Sequence, residues 1–395
     1  VIDLVILSLV LFAAGALTMT VLPAGSRSAG LLGPVTAVAA CLPGLAASVL
    51  ALAGTPGGVV RLPWSLPCGT LSLDMDSLSA VFAAPLLAVV ALAAIYGRGY
   101  LAGMAGGRRL ALHWAFYDIL GGSMLLVVTA ADGFLFLVGW EVMALSSFLL
   151  VLHGHEEGSV RRAGWIYLVA CQAGAACLLL LFSMLGRGGS LEFGTLALTG
   201  GRGAADAAFL LLIAGFGSKA GFVPMHVWLP EAHPAAPSNV SAVMSGVMIK
   251  TGIYGILRFL PFLGPPPPWW GWTLLGIGIA SGVAGVLSAL AQHDLKRLLA
   301  YHSVENIGII CMGLGLGLIG ITARVPAMAL LGFAGGLLHV INHAVFKSLL
   351  FLGAGSVAHR TGTREIDRLG GLLARMPRTG ASFLTGSAAI CGLPP

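Results

Sequence analysis

Charge is scarce in this chain: 9% of its 395 residues are Asp, Glu, Lys or Arg, against about 25% in an average soluble domain. With 57% hydrophobic residues and a mean hydropathy of +0.95, this excludes a soluble globular domain and implies an integral membrane protein. Close-spaced cysteine pairs are missing as well. The six cysteines, Cys41, Cys68, Cys171, Cys177, Cys311 and Cys391, are too scattered to hold zinc or an iron–sulfur cluster and read as small core residues. Glycine-rich stretches such as Gly313-Leu314-Gly315-Leu316-Gly317 lie inside apolar segments, without the strand-then-helix setting that a phosphate loop requires. The net charge of +6 would suggest nucleic acid in a soluble protein. Here the positive residues lie between apolar runs, so the lipid bilayer is the partner implied and nucleic acid is not.

What the chain does have is apolar length. Apolar runs fall at about 2–22, 30–53, 77–97, 112–131, 133–152, 163–185, 206–230, 237–262, 270–291, 298–319, 325–358 and 379–395. At about 20 residues per span, these predict an all-α polytopic membrane protein with eleven complete spans and part of a twelfth. The 57 glycines suit close helix packing in lipid. Val1 to Val21 has no basic leader and is too long for a signal-peptide core, so it reads as the first helix. The chain opens on Val and closes on Cys391-Gly392-Leu393-Pro394-Pro395 within an apolar stretch, which reads as a fragment or as a chain whose remaining helices lie beyond it.

The seventh run is interrupted by Gly221-Phe222-Val223-Pro224, and the eleventh, at about 34 residues, is too long for one straight span. Both are predicted to be broken helices, which lipid tolerates only where protein or water re-satisfies the freed backbone groups. Between the second and third runs, the alternation Thr70-Leu71-Ser72-Leu73-Asp74-Met75-Asp76 predicts a short external hairpin within 54–76. Loops after odd-numbered runs carry thirteen Lys and Arg, including Arg27, Arg98, Arg108, Lys296, Arg297 and Arg364. Loops after even-numbered runs carry five, including Arg61, Arg187 and Arg258. The positive-inside rule then places the N-terminus outside and the basic loops in the cytoplasm. Asp118 is expected to be interfacial.

The remaining three basic residues, Lys219, Lys250 and Lys347, lie in the middle of apolar runs, as does Glu141. A charge at the centre of a spanning helix costs roughly 2.5–3.5 kcal/mol on insertion scales, so these are the first candidates for an ion or proton path. Glu141, in Gly139-Trp140-Glu141, reads either as a carboxylate kept neutral by burial or capping a neighbouring helix, or as one that exchanges a proton as a partner's charge changes. Lys219, just before the break, is the natural partner. Desolvation makes proton exchange by a lysine feasible near neutral pH, and carbonyls freed at the break can hold a cation or water.

His339, His343 and Lys347 are one turn apart on one face. They read as a proton relay or as a structural polar stripe; haem ligation is disfavoured because bundle haems take histidines from facing helices. His226, Glu231 and His233 mark either a proton intake mouth or an ordinary hydrogen-bonded turn, and lack a fourth ligand for a metal. Glu305 reads as a second gate or as a local partner of Lys296 or Arg297. Neither a metal nor a cofactor is expected in the chain.

Gly139-Trp140-Glu141, Gly217-Ser218-Lys219 through Leu229-Pro230-Glu231-Ala232-His233-Pro234-Ala235-Ala236-Pro237, Lys250-Thr251-Gly252, His293-Asp294-Leu295-Lys296-Arg297-Leu298-Leu299-Ala300-Tyr301, and His343 through Phe346-Lys347-Ser348 to Gly353 together resemble the antiporter-like proton-pumping subunits of respiratory complex I and its relatives. The resemblance covers roughly 70–395. His302-Ser303-Val304-Glu305-Asn306-Ile307-Gly308 and Thr361-Gly362-Thr363-Arg364-Glu365-Ile366-Asp367-Arg368 are most similar to the hydrogenase-4 component B and formate hydrogenlyase branch.

The resemblance implies inverted five-helix repeats, each with a broken helix. Residues 1–111 would hold the first three helices and the hairpin, 112–262 the first repeat, and 263–395 the second, truncated one. It implies that Glu141 and Lys219 form a coupling pair, that Lys250 is the central relay, and that His339, His343 and Lys347 lead to a second half-channel. It also implies a proton-translocating membrane subunit of a hydrogenase or NADH dehydrogenase-type complex in the inner (cytoplasmic) membrane. With no redox centre of its own, such a chain would leave electron transfer to its membrane and peripheral partner subunits. The alternative is a subunit of a multi-subunit sodium/proton antiporter.

Overall fold

The computed structural model describes residues 1–23, 28–62, 69–102, 107–186 and 189–393. Loop residues Arg27 and Arg187, the hairpin residues 63–68 with Cys68, and Pro394-Pro395 lie outside them. Helices α1 (Ile2–Val21), α2 (Ala29–Leu52), α3 (Ser77–Tyr100), α4 (Arg108–Thr129), α5 (Gly133–Val151) and α6 (Gly158–Leu185) follow the predicted runs. Between α2 and α3 the expected hairpin forms: β1 (Val60–Leu62) pairs antiparallel with β2 (Leu71–Leu73), Arg61 opposite Ser72. After α6 come α7 (Arg202–Ala220), α8 (Leu229–Ala235), α9 (Ser238–Val243), a π-helical turn at Met244–Met248, and α10 (Lys250–Phe259). The described chain closes with α11 (Pro268–Leu290), α12 (Leu295–Thr322), α13 (Pro326–Thr361), α14 (Leu372–Arg375) and α15 (Pro377–Ile390). Eleven spans among the described residues are long and apolar enough to cross a bilayer.

Local chemistry sets the ends of these helices. Asp76, Asp132 and Asp294 cap α3, α5 and α12 by accepting first-turn amide hydrogens, and Pro starts α11, α13 and α15. The seventh run breaks where predicted. α7 stops at Ala220, Gly221 adopts the left-handed conformation at φ 77°, and Trp228 Nε1 donates to the freed carbonyl of Ser218 at 2.8 Å.

The eleventh run does not break. α13 is continuous over 36 residues, about 54 Å at 1.5 Å per residue, so it overshoots a hydrocarbon core of about 30 Å. Length alone was a poor guide, because α13 contains no proline after its first residue to interrupt the hydrogen-bond ladder. The backbone irregularity lies in the eighth predicted run instead, as the π turn at Met244–Met248.

On one side of the bundle the hairpin is sewn to the loop before α5 and the loop after α6. Ala131 N donates to Ser72 O at 2.9 Å, and Arg61 makes two 2.8 Å bonds to Glu192. On the other side, Leu295 N bonds Arg364 O at 3.0 Å and Ile366 N bonds His293 O at 2.8 Å, tying the start of α12 to the segment after α13. Between these faces, Gly271, Gly278 and Gly285 recur every seven residues along α11. A methyl at Gly278 would lie 2.7 Å from Gly308 O of α12, so these helices pack backbone to backbone. That contact is made by Glu305, Gly308 and Met312 of α12 and leaves Ser303 and Asn306 to meet Ser245 and His339.

Asp118 departs from expectation. It is fully buried at the junction of α4 with α1 and α2, not at an interface. Cys41, Cys171 and Cys311 are buried and unpaired, as small core residues are.

Candidate functional site

Lys219 is the penultimate residue of α7, two before Gly221, and is 1% exposed. Its Nζ lies 3.2 Å from Tyr167 Oη and 3.3 Å from Cys171 Sγ on α6. It also stands over the Trp140 and Tyr167 rings at 5.8 and 5.3 Å, close enough for cation–π attraction. Tyr167 Oη in turn meets Ser147 Oγ at 2.6 Å. Glu141 is not its direct partner. Glu141 is half-exposed and accepts a 3.0 Å bond from Gln172 Nε2, next along α6 from Cys171. The two expected partners therefore approach the same helix without forming an ion pair.

Lys250 opens α10 and is 2% exposed. The π turn before it shifts the amide of Ile249 onto Met244 O, at 3.1 Å, which frees Ser245 O from its ordinary partner. Lys250 Nζ donates to that carbonyl at 2.5 Å, and Ser245 Oγ meets Ser303 Oγ of α12 at 2.7 Å. A void of about 10 Å³ touches Lys250, Thr251 and Val340, at the lower limit for one water molecule.

His339, His343 and Lys347 share one face of α13, as predicted. His339 Nε2 pairs with Asn306 Oδ1 at 2.9 Å, and its ring lies parallel to that of His343 at 6.2 Å. His343 and Lys347 are fully buried, and neither ring nitrogen nor Lys347 Nζ has a protein hydrogen-bond partner. Buried polar atoms of this kind are ordinarily satisfied by internal water. The stations act on one another electrostatically: Lys250 lies in the field of Lys347, and His343 in the fields of Lys250, Lys347 and His339.

The expected intake trio does not form one cluster. His226 is half-buried on the turn after α7. Glu231 is held by Arg297 Nη2 at 2.5 Å. His233 is fully buried beside Phe351, ring centres 5.0 Å apart, in the fields of Lys296, Lys347 and Lys250, so it belongs with the lysines. Glu305 pairs with His302 Nδ1 at 2.5 Å, one turn back on its own helix, and with neither Lys296 nor Arg297, which bond elsewhere.

Lys296 and Asp118 are buried ionisable residues that the sequence reading placed elsewhere. Lys296, counted there as a loop charge, is 2% exposed in the first turn of α12, and its Nζ donates to Ala236 O at 2.6 Å. It lines a cleft of about 490 Å³ with His153, Glu231, Ser238, Arg297 and Arg364. Its seven-residue spacing from Ser303, which places both on one helical face, was the available signal. Asp118 is the other, and its isolation inside the apolar run 112–131 was the available signal.

Residues 130–395 match the family described as NADH:quinone oxidoreductase/Mrp antiporter, transmembrane. Hydrogenase-4 component B of Escherichia coli (strain K12) is 42% identical over 332 residues, 82% of this chain and 49% of that protein. An Na(+)/H(+) antiporter subunit of Alkalihalophilus pseudofirmus is 36% identical over 359 residues, 86% of this chain and 43% of that one. A chain of respiratory complex I from Thermus thermophilus superposes with a TM-score of 0.82 at 26% identity, over 99% of this chain and 79% of its own length. The chain spans about half the length of the curated relatives it matches. The match over residues 130–395, the identities and the shared fold make this chain a member of the NADH:quinone oxidoreductase/Mrp antiporter transmembrane family.

Proposed function

We propose that this chain is a proton-translocating subunit of a redox-driven membrane complex of the hydrogenase-4 or NADH dehydrogenase type. The observation that carries this reading is the buried series Lys219, Lys250, His343 and Lys347, with His339 and Glu305 at its margin. A soluble-type core function does not account for so many buried basic groups with so few carboxylates to neutralise them, since each is costly in a bilayer. A like-charged neighbour lets gain of a proton at one station favour its loss at the next.

Lys219 and Glu141 would couple through α6, Lys250 would relay, and His339, His343 and Lys347 would pass the proton onward. His226 and Glu231 would serve intake, and His233, buried in the fields of Lys296, Lys347 and Lys250, would stand with the lysine series. Redox chemistry would reside in partner subunits. The five-helix repeats at 112–262 and 263–395 follow on this reading, after the N-terminal unit at 1–111.

The loop charges support an inner-membrane chain with its N-terminus external and the Lys296 cleft facing the cytoplasm. A cysteine placed at Ser28 should then label only from the cytoplasm and one at Thr70 only from outside. Reversed labelling would overturn the orientation. The similarity to the Na(+)/H(+) antiporter subunit of Alkalihalophilus pseudofirmus supports a second reading, cation exchange without redox. The test is reconstitution of the purified complex in proteoliposomes. Proton uptake that starts with the electron donor and needs no sodium supports the first reading, and uptake that follows a sodium gradient without a donor supports the second.

A further inference from the structure

Asp118 belongs to none of the stations above. It projects from the middle of α4 and is fully buried where α4 packs on α1 and α2. Its Oδ2 lies 3.0 Å from Thr36 Oγ1 of α2, whose single hydrogen also has Gly33 O within reach at 2.9 Å, and its Oδ1 has no protein partner. α1 presents Gly15 at this point. A methyl there would overlap Asp118 Oδ2 and crowd Thr36 Cβ, so the missing side chain is what admits the carboxyl group between the helices.

The charged and titratable neighbours do not neutralise it. Cys41 of α2 and Tyr117 of α4 share its field, and neither is a cation. α1 carries no acid or base besides Asp3, twelve residues before Gly15. On α3, Tyr96 bonds with Ser356 and Tyr100 with Ser238, while Arg98 lies in the helix's last turn. On α5, Glu141 is bound by Gln172. On α10, Lys250 is held by Ser245 O and Arg258 by Asp76, and Tyr254 donates to Val128 O.

An ionised carboxylate in this place has at most a single hydroxyl dipole in its support, which does not replace its hydration in a low-dielectric interior. A hard metal cation would need a cage of oxygen ligands, whereas the protein oxygen bonded to Asp118 is that of Thr36. A proton needs neither. We propose that Asp118 is a proton-binding site at the junction of α1, α2 and α4, separate from the lysine and histidine series, and that it is a neutral acid in the folded protein. Loss of that proton places an uncompensated charge against the backbone at Gly15, which makes the contact of α1 with α2 and α4 sensitive to protonation. This inference does not depend on the transport reading.

Infrared spectroscopy of the assembled complex at neutral pH tests it. Asp118→Asn keeps the shape, the neutrality and an acceptor for Thr36, so the complex should assemble with an unchanged unfolding midpoint. The difference spectrum should show the loss of one protonated carboxylic-acid carbonyl band. Loss of a carboxylate band in its place would overturn the proposal. Thr36→Val leaves Asp118 intact and removes its hydroxyl partner, so the same acid band should shift in frequency and persist. An absence of any acid band that responds to Thr36→Val would overturn the proposal even if Asp118→Asn failed to assemble.

Discussion

Lys250 Nζ donates to the carbonyl of Ser245, five residues back on the same chain segment, because the π turn between them has taken that carbonyl's ordinary amide partner. An ammonium held by one neutral dipole is positioned but not neutralised, the condition under which a lysine can exchange its proton. The Ser245 hydroxyl is in turn fixed by Ser303 of α12. Ser303→Ala should cost about 1 kcal/mol of stability, the net worth of one buried hydrogen bond, and should slow transport without preventing assembly. Thermal unfolding and proton uptake on the same preparation check this, and unchanged uptake would remove Ser303 from the path.

Lys219 and Glu141 offer a sharper test because they share no hydrogen-bond partner. For such sites stability losses add within about 0.5 kcal/mol. Glu141→Gln and Lys219→Met should therefore be additive in unfolding free energy yet non-additive in transport, the double variant being no slower than the slower single one. A large coupling in stability would mean that the two form a direct ion pair in the protein.

The spacing between the first two lysines is set by a close helix contact. Gly252, two residues after Lys250, packs so that a methyl would meet Phe216 O at 2.5 Å and Ala220 N at 2.8 Å on α7. Backbone atoms cannot yield as a side chain can. Gly252→Ala should cost about 1–3 kcal/mol, as overpacking does, and should lower uptake by moving Lys219 relative to Lys250. An unshifted unfolding midpoint would contradict this packing.

Asp76, just outside the α3 span, predicts a pH response through its ion pair with Arg258. Burial works to raise the Asp76 carboxyl, but two hydrogen bonds and the charge of Arg258 win and hold it at about 2, below an unfolded value of about 3.9. The stabilisation is therefore complete above about pH 4 and is lost as pH falls from there through about 2. Because the Asp76 side chain is 40% exposed, solvent screening limits it to on the order of 1 kcal/mol. In unfolding experiments, wild type should exceed Asp76→Asn by that amount at pH 6, and the two should converge by about pH 2. A constant difference would refute the assignment.

Most of the architecture was legible because apolar length and punctuation dominate it. The break after Ala220 was visible in Gly221 and Pro224, and the hairpin in the alternation from Thr70 to Asp76. Two things were not. The π turn at Met244–Met248 leaves no mark in residue type, and the eleventh run was misjudged because length was taken for a break where no proline enforced one. The buried lysines were found by their isolation among apolar residues. For the same reason Lys296, beside Asp294 and Arg297, was mistaken for a loop charge, and Glu305 was assigned to them when His302, one turn back, was nearer. The Glu141–Lys219 contact failed because adjacency in the series does not specify which side of α6 each side chain meets.

If the buried lysines carry protons, Lys250→Met removes a carrier from the middle of the series. Methionine keeps much of the length and volume of the side chain and cannot hold a proton. Assembly, electron transfer and proton uptake would be measured together on the reconstituted complex. The complex should assemble and its uptake should fall at least about tenfold, a barrier increase of about 1.4 kcal/mol or more. Near-normal uptake by an assembled Lys250→Met complex would contradict proton carriage by the buried lysines.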